Sequence, residues 1–152
     1  MKISTRSEYA AKALLYLCLQ ETPSSPDRPV QISSIAQTCD IPLKYLEQIL
    51  VVLRNQGLVG SRRGVAGGYY LLRPANEITV GEVVRLMDGQ TSIGASLPGC
   101  NGASPICRTL RGLWDEVDTA IAGTLDKTTF ADLCERLEAC DEEQNRANMF
   151  YI

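Results

Sequence analysis

The chain has 152 residues, 45% hydrophobic and 22% charged, enough apolar material for one ordinary domain with a core and too much for a disordered chain. It contains no histidine, which excludes Ser-His-Asp triads, Cys-His pairs and HExxH zinc sites together. The formal charge of -3 is unevenly spread: residues 1–90 carry +2 and residues 91–152 carry -5. An acidic total argues against indiscriminate coating of nucleic acid. Four arginines and no acid between Arg54 and Arg73 still leave room for a local basic face.

In chain order, Thr5-Arg6-Ser7-Glu8 has the form of a capping box. Behind it Tyr9, Ala10, Ala13, Leu14, Leu17 and Cys18 recur at helical spacing, predicting a helix over 6–20. Residues 21–29 hold three prolines and form a loop. A short helix fits 33–38, and Pro42 opens another that carries Leu46, Ile49, Leu50 and Leu53 inward and stops at Gly57. Two helices joined by a tight turn make a helix-turn-helix. Strands are predicted at 58–61 and 69–72, with Arg62 and Arg63 on the glycine-rich hairpin tip between them. That order is a winged helix.

A second capping-box pattern, Thr79 to Glu82, opens a helix ending near Asp88-Gly89. Residues 91–105 lack periodicity and form a loop around Cys100. Ile106, Leu110, Leu113, Trp114, Val117, Ile121 and Leu125 then make a long apolar stripe, for which a second subunit is the economical cover. A last amphipathic helix is expected over 128–140, followed by a frayed acidic tail. The expected organisation is a mainly α chain: a winged helix-turn-helix domain (1–90), a cysteine-containing sensor loop (91–105), dimerisation helices (106–140) and a tail (141–152).

The expected recognition helix begins with Lys44, Tyr45, Glu47 and Gln48. Gln can read adenine with two hydrogen bonds, Glu can accept from cytosine, and Lys can reach guanine or phosphate. Glu47 can equally be a solvated partner of Lys44, and Tyr45 can pack. On the hairpin Arg63, beside Gly64, suits a minor groove, and Arg62 suits phosphate. Two such modules joined through the long helix would address a pseudo-palindromic DNA duplex. No acid, base and nucleophile converge, so an enzyme is not expected.

The opening MKISTRSEYAAKALLYL, the helix IPLKYLEQILVVLRNQGLV, the hairpin SRRGVAGGYYLLRPANEITVGEVVRLMDG and the end CRTLRGLWDEVDTAIAGTLDKTTFADL resemble the Rrf2 family of bacterial winged-helix transcription regulators. The likeness covers residues 1–140. It implies a homodimeric regulator with Glu47 and Gln48 at base edges, Arg63 in the minor groove, and Lys2, Ser4 and Arg6 near phosphate. It also implies an effector site in the loop before the long helix, where cysteines of some members hold a [2Fe–2S] cluster.

Cluster-binding members usually place three cysteines in that loop; this chain has Cys100 and Cys107. Some relatives add a glutamate and a histidine from the first helix. Glu8 matches the glutamate, and Lys12 stands at the histidine position. Three readings follow: a cluster held by Cys100, Cys107, Glu8 and further donors; a thiol switch between Cys100 and Cys107, with Arg108 favouring the thiolate; or cysteines without a sensing role, the effector being a partner or small molecule. Cys18 and Cys39 read as packed thiols. No signal-peptide pattern or apolar membrane-spanning run is present, so a cytoplasmic protein is expected. A different class, an interaction module docking on a metabolic enzyme through the acidic half, stays open beside the regulator.

Overall fold

In the computed structural model, which describes residues 3–21, 28–89 and 104–149, six helices and one hairpin follow in the expected order. They are α1 (Thr5–Gln20), α2 (Ile32–Cys39), α3 (Leu43–Asn55), β1 (Val59–Arg62), β2 (Gly68–Leu71), α4 (Val80–Asp88), α5 (Pro105–Lys127) and α6 (Phe130–Met149). A single 3-10 turn, Ala75–Glu77, leads into α4. The fold is thus mainly α, a winged helix-turn-helix with a two-stranded antiparallel wing and long C-terminal helices.

Periodicity explains the core. Leu14 and Leu17 of α1, Ile35 of α2, and Leu46, Ile49, Leu50 and Leu53 of α3 are almost fully buried in one cluster, which Phe130 of α6 completes. Burying each such side chain contributes about 1.5–3 kcal/mol relative to leaving it in water. Between α2 and α3 the chain turns through Asp40, whose left-handed φ of 53° ends α2 and frees Pro42 to start α3.

Several ends differ from expectation. The cap of α1 is Ser4, not Thr5: the Ser4 hydroxyl accepts from the Ser7 N–H at 3.1 Å, and Thr5 is already helical. Ser4 wins because its hydroxyl and backbone N–H both donate to Asp88, the last residue of α4. Glu8 therefore does not close a box; it pairs with Lys12 at 3.0 Å, one turn on. Thr79 does cap α4, accepting from the Glu82 N–H at 3.1 Å, while the Glu82 carboxylate pairs with Arg73 at 2.6 Å. The reciprocal box lies at α6, where the Thr129 N–H donates to Asp132 and the Asp132 N–H to the Thr129 hydroxyl.

The last helix does not stop at residue 140. It runs to Met149, because Glu, Gln, Arg and Ala dominate 141–147 and neither glycine nor proline interrupts them. At its start it is clipped to the winged domain: Val80 N–H donates to the Thr128 carbonyl (2.9 Å) and Phe130 N–H to that of Ile78 (3.0 Å). Arg85 pairs with Asp126 at 2.7 Å, and Gly81 leaves the room that the Asp126 carboxylate occupies. The α5–α6 corner is therefore fixed on α4.

Candidate nucleic-acid interface

Because Leu46, Ile49, Leu50 and Leu53 turn α3 inward, Lys44, Tyr45, Glu47 and Gln48 emerge together on its outer face, all exposed. Among the described residues neither Lys44 nor Glu47 takes part in an ion pair, so the solvated pairing weighed from the sequence does not form. Tyr45 packs edge-on against Tyr9 of α1, ring centres 5.6 Å apart at 84°. That contact fixes the start of α3 against the start of α1, and the Lys12 ammonium lies 5.7 Å from the Tyr9 ring centre.

Both wing strands lie one residue nearer the tip than the predicted spans. Val59 to Arg62 pair with Leu71 to Gly68, so Arg62 belongs to β1 and not to the tip, which begins at Arg63. Arg62 stands 5.8 Å from the ring centre of Tyr70, and Arg63 is exposed. Tyr70 faces Gly60 across the ladder; a β-carbon there would come within 2.6 Å of the ring. The tip is tethered as well. Val30 and Tyr69 exchange two backbone hydrogen bonds of 2.8 Å, and the Gln31 side-chain amide donates to the Val65 carbonyl at 3.2 Å. Val65 itself is 96% exposed.

Tyr9, Gln31, Tyr70 and Asp88 are the positioning residues that the sequence did not single out. Only the facing of Gly60 by an aromatic had a signal there, and it required the register. Arg73, counted in the basic stretch, is neutralised by Glu82 and by the Glu77 carbonyl at 2.7 Å.

At the amino terminus Arg6 is exposed, while Ser4 is committed to its cap and to Asp88. Desolvation pushes the Asp88 carboxyl up, but hydrogen bonds from Ser4 and Ser7 and the Arg6 charge outweigh it and hold the group below its usual range. Lys2 lies outside the described residues.

The cluster reading meets a poor donor set. Glu8 is engaged by Lys12, whose ammonium that hydrogen bond holds further in the charged form. Cys107 sits in the first turns of α5, and Cys100 lies outside the described residues. Among the described residues no three His, Cys, Asp or Glu side chains gather where a metal could bind.

The apolar stripe of α5 has no fully buried residue: Ile106 is 72% exposed, and Leu110 and Leu113 are about half exposed. Trp114, Val117, Ile121 and Leu125 are partly covered. No helix among the described residues is long and apolar enough to cross a membrane.

This architecture has known counterparts. The transcriptional regulator CymR of Bacillus subtilis is 35% identical over 152 residues, the whole of both chains. The regulator IscR of Cronobacter sakazakii is 34% identical, over 97% of this chain and 91% of its own. The solved structure of CymR, the global cysteine regulator of B. subtilis, superposes with a TM-score of 0.76 at 34% identity, covering 90% of this chain and 98% of that one. The family model described as Rrf2, an iron-dependent transcriptional regulator, matches residues 3–136, and with its helix-turn-helix and wing in place the chain belongs to the Rrf2 family of winged helix-turn-helix transcriptional regulators.

Proposed function

We propose that this DNA-binding regulator acts in the cytoplasm as a homodimeric repressor on a pseudo-palindromic operator, with a cysteine-based sensing site at Cys100 and Cys107. The observation that carries the DNA reading is the joint exposure of Lys44, Tyr45, Glu47 and Gln48 on α3 beside a wing bearing Arg62 and Arg63. In this reading Glu47 and Gln48 meet base edges in the major groove, Arg63 enters the minor groove, and Lys44, Arg62, Arg6 and Lys2 neutralise phosphate. Ser4 contributes by holding α1, its hydroxyl being engaged by Asp88.

The stripe from Ile106 to Leu125 supports the homodimer, since a 23-residue helix with no fully buried residue gains little from its own chain. Two recognition helices then address two half-sites. For sensing, the donor set favours a thiol pair over a [2Fe–2S] cluster, because Glu8 is tied to Lys12. A change at Cys100 and Cys107 acts by shifting the dimer between DNA-competent and incompetent geometries.

The test is selection of duplexes from a random-sequence pool, followed by titration against the Arg63→Ala and Gln48→Ala variants. An inverted-repeat consensus that both variants weaken supports the reading. Weak, sequence-blind binding unchanged in both refutes it, and favours a module that docks on a metabolic enzyme. Iron and acid-labile sulfide measured on protein purified without oxygen decide the sensing site. Near-stoichiometric iron and sulfide would overturn the thiol choice.

A further inference from the structure

The fold brings together two cysteines that the family resemblance leaves aside. Cys18, in the last turn of α1, and Cys134, in the second turn of α6, are brought sulfur to sulfur across 116 residues of sequence, with α-carbons 7.1 Å apart. Both residues are half-buried. The Phe130 carbonyl lies 3.9 Å from the Cys18 sulfur and can accept from its thiol. We propose that Cys18 and Cys134 form a peroxide-reactive dithiol, separate from Cys100 and Cys107, whose oxidation staples α6 to α1 and resets the affinity for DNA.

The chemistry closes with hydrogen peroxide as oxidant. Cys134 is the attacking thiolate, being nearer the positive end of its helix, whereas Cys18 lies at the negative end of α1. An S–O bond forms at the Cys134 thiolate as the O–O bond breaks, and the departing hydroxide takes up the proton that the thiol released on ionising and leaves as water. Cys18 then attacks that sulfur. The S–S bond forms, the S–O bond breaks, and the leaving hydroxide takes the Cys18 proton as a second water. Two thiols lose two electrons in all, and one peroxide becomes two waters. A dithiol reductant reverses the change by exchange.

The consequence for DNA follows from what α6 holds. Its first residue, Phe130, donates to the Ile78 carbonyl, the Val80 N–H donates to Thr128 just before it, and α5, which bears the apolar stripe, ends against α4 through Asp126 and Arg85. A bond between α6 and α1 thus fixes the C-terminal helices on the winged domain. In a dimer that orientation sets the spacing of the recognition helices. The dithiol chemistry stands independently of the DNA-binding reading; its effect on affinity rests on it.

The test uses the full chain, reduced and then treated with hydrogen peroxide, digested without reductant and mapped by mass spectrometry. The expected product is a Cys18–Cys134 peptide pair within one chain, lost on adding dithiothreitol. Affinity for a duplex selected by the reduced protein is expected to shift roughly fivefold or more on oxidation. In a Cys100→Ser/Cys107→Ser background, which silences the loop pair, the shift should persist, and adding Cys134→Ser should abolish it; Cys134→Ala serves if serine unfolds the chain by circular dichroism. No such peptide pair, or an affinity unchanged while the pair forms, overturns the proposal. A chain that forms the pair but selects no duplex keeps the thiol chemistry and overturns both the effect on affinity and the DNA-binding reading.

Discussion

Gly64 and Gly68 bracket the wing tip, and substituting each by alanine separates two causes of wing order. Both have positive φ, +107° and +149°, so alanine at either carries a backbone penalty of about 1–3 kcal/mol. Around Gly64 a β-carbon meets nothing within 4 Å; at Gly68 it overlaps the Val30 carbonyl and comes within 2.9 Å of the Gln31 nitrogen. Gly68→Ala must therefore push apart the Val30–Tyr69 bridge and its two 2.8 Å hydrogen bonds. At about 1 kcal/mol each, they make Gly68→Ala about 2 kcal/mol worse than Gly64→Ala. With a urea slope of about 2 kcal/mol/M, the two unfolding midpoints should differ by about 1 M at equal protomer concentration. DNA affinity should fall further in Gly68→Ala as well, because Arg62 and Arg63 lose their tether to Val30 before α2. Coincident midpoints would refute the claim that this bridge holds the wing.

Arg63→Ala should weaken binding to a selected duplex by about 1–3 kcal/mol, whereas Lys44→Ala should lower the salt slope by about one contact, both read by fluorescence anisotropy across salt concentrations. Leu110→Asp should convert a dimer into a species sedimenting at the 16.6 kDa of one chain without loss of helical circular dichroism. The Asp88 and Asp132 carboxyls are both held below the ordinary value of 3.8, Asp88 by its serine hydrogen bonds against desolvation and Asp132 by the Thr129 N–H and hydroxyl. A depressed folded-state value contributes stability above the unfolded value and loses it as pH falls through the folded one. Asp88→Asn should accordingly flatten the fall of the urea midpoint below about pH 4, and an unchanged acid slope would contradict the assignment.

The helices were legible because period and punctuation agree: Leu46, Ile49, Leu50 and Leu53 repeat at helical spacing between Pro42 and Gly57, and all four are buried. Helix ends were less so, since a cap is chosen by partners distant in sequence. Ser4 displaces Thr5 only because Asp88 waits 84 residues away. The wing strands end one residue nearer the tip for a related reason. Gly68 pairs with Arg62 because Val30 docks on Tyr69, a contact that no local pattern announces. Polar outer residues of α3 could be named from the sequence, as could the wing arginines. Their supports, Tyr9, Gln31 and Tyr70, could not, because their roles exist only once helices and strands cross. Cys18 looked like a packed thiol for the same reason: its partner arrives with α6.

The same logic explains why α5 matters more than its length suggests. Near its C-terminal end it is held on the winged domain, where Asp126 meets Arg85 and Thr128 meets Val80. Along the rest of its 23 residues it offers Ile106, Leu110 and Leu113 to water. Helix propensity alone leaves such a segment marginal, so the stripe must be covered for the helix to be firm. A second copy laid along it supports both proposals at once. It stabilises α5, and through the α4 contact it turns two small DNA-binding surfaces, each weak alone, into one surface with a fixed spacing. Any chemistry that alters how α5 and α6 sit on the winged domain then changes that spacing without touching a DNA-facing side chain.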